Sequence, residues 1–450
     1  MIFKKQILFL ILLFPFFVFA DDPELKTDSE RVQMLCTAFW EGDLDTLSLY
    51  SSLKMKQGIK DGTLALAILQ LSTLYGRVCS LEGAPERAAV VDGVTIFIQA
   101  VKLERQDVNC IISIDSDGKL CGFYVRPQVK KQKIETNSPP EKREVKSATA
   151  GRFTELEIKI GEEPSLPGTL TLPEGKRPYP AIILIHGSGP NDRDETVYAN
   201  KPFRDLAELL VERGIAVLRY DKRTLVYPEE CQNKTSFTID DETVNDALAA
   251  VGFLRNTPEI APDGIWLLGH SLGGMMLPRI ASKTAVPAGY ILMAAPAVSL
   301  PELLEEQGIY LLKQDNSLAE AEKEEALAAL KKQTELLSNP DGTSLPDAMS
   351  AYWKDLSRYN QIVQAKQIAV PMLFLQGKRD FQVHQRHLEL WKTALSGRPD
   401  CQFILYDELN HLLQPGTGTP GLAEYATPSR VPEKVADDIA AFIRQHTVAH

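Results

Sequence analysis

The sequence lacks the features that mark several common classes of protein. It has no glycine-rich dinucleotide-binding pattern and no Walker phosphate loop, so no nucleotide cofactor is indicated. Lys and Arg total 49 against 60 Asp and Glu, a formal net charge of −11. Such a chain repels nucleic-acid phosphates and anionic lipid, which argues against a nucleic-acid partner. After residue 20 no apolar run approaches the ~20 residues of a membrane-spanning helix.

The first 20 residues have the pattern of a signal peptide. Lys4 and Lys5 precede an apolar run over residues 7–19, Ala20 offers a small residue at the cleavage position, and Asp21 begins a polar chain. We therefore expect export to the periplasm or the medium, with no membrane insertion after cleavage. An uncleaved anchor is the alternative, although the run is short for one. Residue 21 is not Cys, so lipid attachment is not indicated.

Cysteines are few, six in 450 residues, and their pairing cannot be deduced from the sequence. Export would allow disulfides. An Asp-Gly pair at 117–118 predicts a hairpin in which Cys110 faces Val125 and Cys121 faces Ile114. The two sulfurs would then lie on the order of 13 Å apart along the strands. That separation argues against a disulfide between Cys110 and Cys121.

The N-terminal part predicts a small α+β accessory domain over residues 24–126. Helical periodicity covers 28–51 and 62–75, and strand patterns cover 94–103, 108–114 and 120–125. No cluster of residues in this domain suggests chemistry. The polar, Lys-rich segment 127–150, which contains adjacent prolines, is typical of a linker.

From residue 151 to the end, short apolar strands alternate with helical patterns. This alternation predicts an α/β domain with a mostly parallel eight-stranded sheet covered by helices on both faces. The interval 300–368 interrupts the alternation with charged, leucine-rich helical stretches and predicts an inserted helical cap. The predicted strands are 154–160, 169–172, 181–185, 215–219, 265–268, 290–294, 372–375 and 402–406.

The sharpest chemical motif is the sequence GHSLGG at 269–274. It follows an apolar strand and opens a helix, which is the context of a G-x-S-x-G nucleophile elbow. Gly269 and Gly273 leave room for the tight turn, and the helix N-terminus directs N–H groups at developing negative charge. We therefore predict Ser271 as the nucleophile. The alternative is a glycine-rich turn with an inert serine.

A serine hydroxyl needs a base, and the base needs an acid to orient it. Of only seven histidines, His411 alone lies in a loop after the last predicted strand. Asp380 follows the preceding strand, where its carboxylate could reach the imidazole, with Glu389 and Asp407 as competitors. Ser271, Asp380 and His411 follow the chain order of α/β-hydrolases. No metal is required.

The sequence HGSGP at 186–190 directly follows a strand and predicts the loop that completes an oxyanion hole. We expect the donors to be the main-chain N–H groups of Ser188 (or Gly187) and Leu272, with Gly187 also a candidate for substrate contact. Arg193, in the charged loop that follows, either meets a charged substrate or forms scaffolding salt bridges.

Three further features have two readings each. Residues 221–223 predict a buried charge network rather than a catalytic group. Trp353 in the predicted cap either lines the acyl pocket or belongs to the core. Asp380, His384 and His387 share a helical face and could mimic a metal site, but Asp380 fits better as the acid of a triad.

These motifs together resemble those of a known group. The sequence resembles bacterial carboxylesterases of the α/β-hydrolase superfamily, which are similar to dienelactone hydrolases and to prolyl-oligopeptidase-type peptidase domains. The resemblance covers about 151–446 and implies esterase activity on short acyl esters, with Ser271, Asp380 and His411 at the triad positions. Residues 24–126 loosely resemble a nuclear-transport-factor-like fold. The matching segments are HGSGPNDRDET at 186–196, NKPFRDLAE at 200–208, RYDKRT at 219–224, GHSLGG at 269–274, QGKRDFQV at 376–383 and LNHLL at 409–413.

The function expected from the sequence is therefore cofactor-free hydrolysis of small carboxylic esters, on short-chain or small aromatic acyl groups, through an acyl-enzyme. Two alternatives stay open. One is a serine peptidase or thioesterase that uses the same triad, and the other is a catalytically silent binding module. The sequence does not indicate an oligomeric state.

Overall fold

The chain divides into two compact units. The computed structural model describes residues 27–60, 64, 68, 71, 78–91, 93–103, 107–128, 153–162, 165–314, 320–340, 347–421, 424–425 and 427–447. The first unit contains the described residues up to 128 together with 320–333, and the second contains the rest. The predicted signal peptide and most of the predicted linker lie outside the described residues, so the predicted domain boundaries stay predictions. Within the described residues, no helix is long and apolar enough to cross a membrane.

The first unit is a four-stranded antiparallel sheet with helices, an α+β unit as predicted, with one strand more than the three that the periodicity predicts. The periodicity predicts one helix over 28–51, but Gly42, at φ 71°, ends the first helix at Glu41 and a second helix follows. The strand at 78–91 was not predicted, because Gly83 and Pro85 interrupt the strand pattern and three register shifts break its pairing with the strand at 94–103. The described elements are α1 (Asp28–Glu41), α2 (Leu44–Leu49), α3 (Leu53–Lys60), β1 (Val78–Val91), β2 (Val94–Leu103), β3 (Val108–Ile114) and β4 (Leu120–Pro127).

The hairpin of β3 and β4 has the predicted register except at one point. Cys110 pairs with Val125 as expected. Ile114 pairs with Leu120 rather than with Cys121, because a register shift at the turn end places one extra residue in β4. All six cysteines are free thiols in this structure.

The second unit contains the eight-stranded sheet that the sequence predicts. Its strand order is β12-β11-β10-β9-β7-β8-β6-β5. The pairs that involve β5 or β6 are antiparallel and all others are parallel. The strands are β5 (Phe153–Ile160), β6 (Leu166–Pro173), β7 (Tyr179–Ile185), β8 (Ala216–Tyr220), β9 (Ile260–His270), β10 (Gly289–Met293), β11 (Met372–Gly377) and β12 (Cys401–Tyr406).

Helices cover both faces of this sheet. Successive side chains of a strand point to opposite faces, and in β7 Ile183 and Ile185 join one hydrophobic cluster while Ile182 and Leu184 join the other. The described helices of this unit include α4 (Pro202–Val211), α5 (Arg223–Val226), α6 (Pro228–Asn233), a π-helix (Asp240–Val244), α7 (Asn245–Arg255), α8 (Leu272–Ala281), α9 (Leu300–Gln314), α11 (Asp347–Ser357), α12 (Gln361–Ala365), α13 (Gln385–Ala394) and α14 (Glu433–His446). One more helix, α10 (Glu320–Ser338), contains the boundary between the two units, and only its residues 334–338 belong to this one.

The parallel strands bring the predicted site residues to one edge of the sheet. The loop that begins at His186 follows β7, and Ser271 follows β9. Asp380 follows β11 and His411 follows β12. Because these strands run in the same direction, their carboxyl ends lie at the same edge, where open α/β sheets bind their ligands. The fold is thus the predicted α/β-hydrolase architecture.

Candidate active site

Ser271 lies at the apex of a tight turn between β9 and α8. Its backbone is at φ 52° and ψ −117°, a strained conformation for a residue other than glycine. The turn is held by a hydrogen bond from the Ser271 N–H to the main-chain oxygen of Met293, at 2.9 Å. A Cβ at Gly269 would lie 2.4 Å from the main chain of Gly273, and one at Gly273 would lie 2.3 Å from the oxygen of Ile185. Both glycines are therefore required, as the motif predicts.

His411 and Asp380 form a buried hydrogen-bonded pair. The distance from His411 Nδ1 to Asp380 Oδ2 is 2.7 Å, and the Asp380 side chain is fully buried. Oδ1 accepts the N–H groups of Gln382 and Val383 at 2.9 and 2.8 Å, and Oδ2 also accepts the Gln376 amide at 3.0 Å. Four donors thus hold one carboxylate in the orientation that fixes an imidazole for proton transfer.

The other acids and histidines that the sequence offered are used elsewhere. Glu389 is exposed on α13, and Asp407 is exposed and pairs with Lys378. His387 accepts the Ala297 N–H at Nδ1, 3.0 Å away, and its Nε2 lies 2.9 Å from Glu306. Among the described residues no group of three or more potential ligands is arranged to hold a metal ion. The geometry therefore favours Asp380 as the partner of His411.

Ser271 and His411 are linked through the residue that precedes the serine. The Nε2 of His270 lies 2.9 Å from the main-chain oxygen of His411, and the two imidazole rings are 4.6 Å apart between centroids. Within the described part of the chain the one hydrogen bond of the His411 side chain is to Asp380. Proton transfer between the Ser271 hydroxyl and His411 Nε2 stays a prediction, since such contacts often tighten only when substrate binds.

The structure selects between the two donors that the sequence proposed in the loop after β7. The Gly187 N–H is occupied, because it donates to Glu195 Oε1 at 2.7 Å. A Cβ at Gly187 would lie 3.2 Å from the Cβ of Ser271, so this loop passes directly beside the nucleophile. Gly187 is thus wrong as a donor, and the exposed Ser188 stays the candidate in this loop, together with Leu272 at the N-terminus of α8.

The buried pair of Glu195 and His270 was not predicted from the sequence. Glu195 Oε2 lies 2.9 Å from His270 Nδ1, a contact of an ion pair rather than an aligned hydrogen bond. Burial disfavours charge on both groups, yet their mutual attraction lowers the pKa of Glu195 and raises the pKa of His270. Burial lowers the pKa of nearby His186 to about 4. The one signal in the sequence was the charged run at 192–195 beside the oxyanion motif.

Arg193 is scaffolding, the second of its two predicted roles. Its guanidinium binds both oxygens of Asp221, at 3.1 and 2.9 Å, and also contacts Glu157 and Thr169, each at 2.7 Å. These contacts engage the guanidinium in the protein itself and raise the pKa of Arg193 above its usual value. A direct contact with substrate, the other predicted role, is not supported.

Residues 221–223 form the predicted charge network. Each side chain has an oppositely charged partner from another loop or helix, and the Lys222 side chain is only 2% exposed. A buried ammonium requires such a partner, because desolvation would otherwise be costly. The pairs are Asp221 with Arg193, Lys222 with Glu242 and Arg223 with Asp246.

Trp353 lies on α11 in the predicted cap. It is half-buried, packs against the larger hydrophobic cluster of the sheet and meets Tyr352 edge to face at 5.8 Å. These contacts are those of a core residue. A role in lining the acyl pocket stays a prediction.

The sequence of this chain is similar to a known protein family and to a bacterial esterase. The sequence pattern of the family described as "Serine aminopeptidase, S33" matches residues 181–415. Esterase EstD of Thermotoga maritima is 36% identical over 349 residues, which cover 77% of this chain and 79% of that protein.

Solved structures of similar proteins include two esterases. The Pyrococcus furiosus esterase Pf2001 is 18% identical, with a TM-score of 0.41 over 65% of this chain and 91% of that chain. Est1E from Butyrivibrio proteoclasticus is 17% identical, with a TM-score of 0.42 over 64% of this chain and 98% of that chain. The sequence match over more than half of the chain, together with the identity to the Thermotoga protein, shows that this chain belongs to the serine aminopeptidase S33 family of α/β-hydrolases.

Proposed function

We propose that the chain is a carboxylesterase-type serine hydrolase that cleaves small carboxylic esters through an acyl-enzyme. One observation carries this proposal: the buried hydrogen bond between His411 and Asp380 lies at the same sheet edge as the strained turn of Ser271. The relative from Thermotoga maritima, named an esterase, supports it. The proposal requires no cofactor.

The chemistry is acyl transfer in two steps. His411 Nε2 takes the proton of the Ser271 hydroxyl as the serine oxygen attacks the ester carbonyl carbon. The protonated imidazole, stabilised by Asp380, then gives this proton to the departing alcohol. A water molecule, deprotonated by the same imidazole, attacks the acyl-enzyme and releases the acid and the free serine.

The negative charge that forms on the carbonyl oxygen requires fixed donors. We expect the main-chain N–H groups of Ser188 and Leu272 to supply them. The loss of one such donor typically costs 10²–10³ in kcat. The Leu272 N–H is also the first of α8, so the positive end of the helix dipole is directed at the same oxygen.

An aminopeptidase is the second candidate, because the family takes its description from one. It would need an available carboxylate for the free amino group of its substrate. The carboxylates in the loop beside the oxyanion hole are already engaged: Asp192 by Thr196, Asp194 by Arg219 and Lys201, and Glu195 by His270. This pairing favours esters over peptides with a free amino terminus.

Two chromogenic substrates separate these candidates. We expect the purified protein to hydrolyse p-nitrophenyl acetate and not an aminoacyl-p-nitroanilide. Turnover of the anilide alone would refute the esterase proposal. Ser271→Ala should abolish hydrolysis with the circular dichroism spectrum unchanged, whereas Ser282→Ala, at the other end of α8, should retain it. Full activity in Ser271→Ala would exclude the serine mechanism.

Export is the second part of the proposal, supported by the pattern of the first 20 residues. We expect the mature chain to begin at Asp21 and to occur in the periplasm or the medium. Mass spectrometry of the protein from fractionated cells tests this. An intact N-terminus in the membrane fraction would instead indicate an uncleaved anchor.

A further inference from the structure

Lys222 joins the charge network at 221–223 to the main-chain oxygen of Gly187, in the loop that follows β7. Lys222 follows β8, and its ammonium group donates to the main-chain oxygen of Gly187 at 2.8 Å. The same group donates to Glu242 Oε1 at 2.6 Å. Lys222 lies 35 residues from Gly187 in sequence, so only the fold brings a buried positive charge onto this loop.

The Gly187 oxygen belongs to the same peptide group as the Ser188 N–H. A trans peptide is planar, and its N–H points opposite to its C=O. A donor that fixes the oxygen of Gly187 therefore also fixes the direction of the Ser188 N–H. The peptide that precedes Gly187 is fixed as well, because its N–H donates to Glu195 at 2.7 Å.

We propose that Lys222 is a positioning residue of the oxyanion hole, because its ammonium group orients and polarises the peptide whose N–H, at Ser188, stabilises the oxyanion. This inference rests on the proposed function. Lys222 touches neither the substrate nor the reacting atoms. It acts through the peptide, whose N–H becomes a stronger donor when its oxygen accepts a charged hydrogen bond.

A charged donor does more here than a neutral one. The amide of Asn191 also donates to the Gly187 oxygen, at 3.2 Å, so this oxygen would keep one hydrogen bond without Lys222. Hydrogen bonds from a charged group are roughly twice as strong as neutral ones. Removal of the ammonium should therefore weaken stabilisation of the transition state more than it disturbs the position of the loop.

Glu242, the counterion of Lys222, also forms a hydrogen bond to the predicted cap. Glu242 Oε2 accepts the hydroxyl of Tyr352, on α11, at 2.7 Å. Glu242 thus holds Lys222 with one oxygen and the cap helix with the other. Loss of the Tyr352 hydroxyl should allow Glu242 and Lys222 to shift, with a smaller effect than loss of Lys222 itself.

The test is Lys222→Met, with Arg223→Met as the matched control. Arg223 pairs with Asp246 in the adjacent ion pair and does not contact Gly187. With p-nitrophenyl acetate we expect Lys222→Met to lower kcat about 10–100-fold, less than the 10²–10³ for loss of a donor itself, and to leave KM within about threefold. Arg223→Met should keep kcat within about threefold. Tyr352→Phe should lower kcat by roughly two- to fivefold.

A transition-state analogue separates positioning from general damage to the fold. An alkyl trifluoromethyl ketone forms a hemiketal with Ser271, whose oxyanion occupies the oxyanion hole. If Lys222 positions the donor, Lys222→Met should weaken inhibition by this ketone by the same factor as it lowers kcat/KM. Unchanged affinity for the ketone, or unchanged kcat, in a folded Lys222→Met protein would overturn the inference.

Lys222→Met leaves Glu242 buried without its counterion and could prevent folding. The double variant Lys222→Met with Glu242→Leu removes both charges and should fold, with the same loss of kcat. Its failure to fold would show that Lys222 is structural and overturn the inference. If the wild-type protein hydrolyses no ester, the proposed function and the inference fail together. If it does and Lys222→Met matches it, only the inference fails.

Discussion

A methyl group at Gly273 should disrupt the turn that carries Ser271, because the surrounding main chain leaves no space for a Cβ there. In Gly273→Ala the new Cβ would lie 2.3 Å from the oxygen of Ile185 and 2.6 Å from that of His186. Ordinary contacts begin near 3.4 Å, so α8 and the end of β7 must separate by about 1 Å. Overpacking typically costs 1–3 kcal/mol. Because both contacting atoms here are main-chain atoms, we expect the upper end, about 3 kcal/mol.

The same separation should impair catalysis. Ile185 and His186 lead into the loop that carries Ser188, and Gly273 lies two residues after the nucleophile. A shift of about 1 Å between the two donors of the oxyanion hole can cost about 10²-fold in rate. We therefore expect kcat for p-nitrophenyl acetate to fall at least 10²-fold, with the melting temperature lower by about 6–12 °C at 2–4 °C per kcal/mol.

Gly252→Ala is the matched control. Gly252 lies in α7, and a Cβ there meets no atom within 4 Å. Alanine in a helix is more favourable than glycine by about 0.5–1 kcal/mol, so this variant should be slightly more stable and fully active. Differential scanning calorimetry and initial rates measure both quantities. A stable, active Gly273→Ala protein would refute the geometry of the turn described here.

Three further predictions concern the side chains that support the site. Asp380→Asn should fold normally but lose about 10³–10⁴ in kcat, because an amide no longer stabilises the imidazolium; near wild-type rates would exclude Asp380 as the acid. Glu195→Gln removes the ion pair with His270, which requires an ionised Glu195 and a protonated His270. The contribution of Glu195 to stability is present above pH 4.5 and is lost as the pH falls through its lowered pKa. The contribution of His270 is present below pH 6.5 and is lost as the pH rises through its raised pKa. The difference in melting temperature from wild type should thus be widest between pH 4.5 and 6.5, and a difference that does not vary with pH would contradict the pairing. Arg193→Met should lower the stability by about 2 kcal/mol through its pair with Asp221, with KM for a neutral ester unchanged; a raised KM alone would instead indicate contact with substrate.

The parts of the site that the sequence predicted depend on local geometry or on chain order. Ser271 could be found because a strand, two glycines and a helix must adjoin it. His411 and Asp380 could be found because the superfamily uses one chain order and few histidines were available. The alternation of apolar strands with helices likewise predicted the sheet, because each buried strand must be apolar on both faces.

The parts that the sequence did not predict depend on contacts between distant segments. In β1 of the first unit, Gly83 and Pro85 interrupt the strand pattern in the sequence, although β1 pairs with β2 across three register shifts. The sequence offered Ser188 as the donor and Gly187 as its alternative, and only the 2.7 Å contact from Gly187 to Glu195 separates them. Periodicity carries no information about such contacts, since an acid eight residues away could as well face water.

The charged residues around the nucleophile explain why an acidic loop can lie beside a site that must stabilise negative charge. Asp194 and Glu195 would oppose an oxyanion if their charges were free. Each is instead held by a buried partner, Asp194 by the guanidinium of Arg219 and Glu195 by the imidazole of His270, whose pKa this contact raises. One further cation, Lys222, is turned towards the Gly187 oxygen. The carboxylates therefore fix the main chain of the loop, while the field that reaches the reacting oxygen comes from N–H groups that these pairs hold in place.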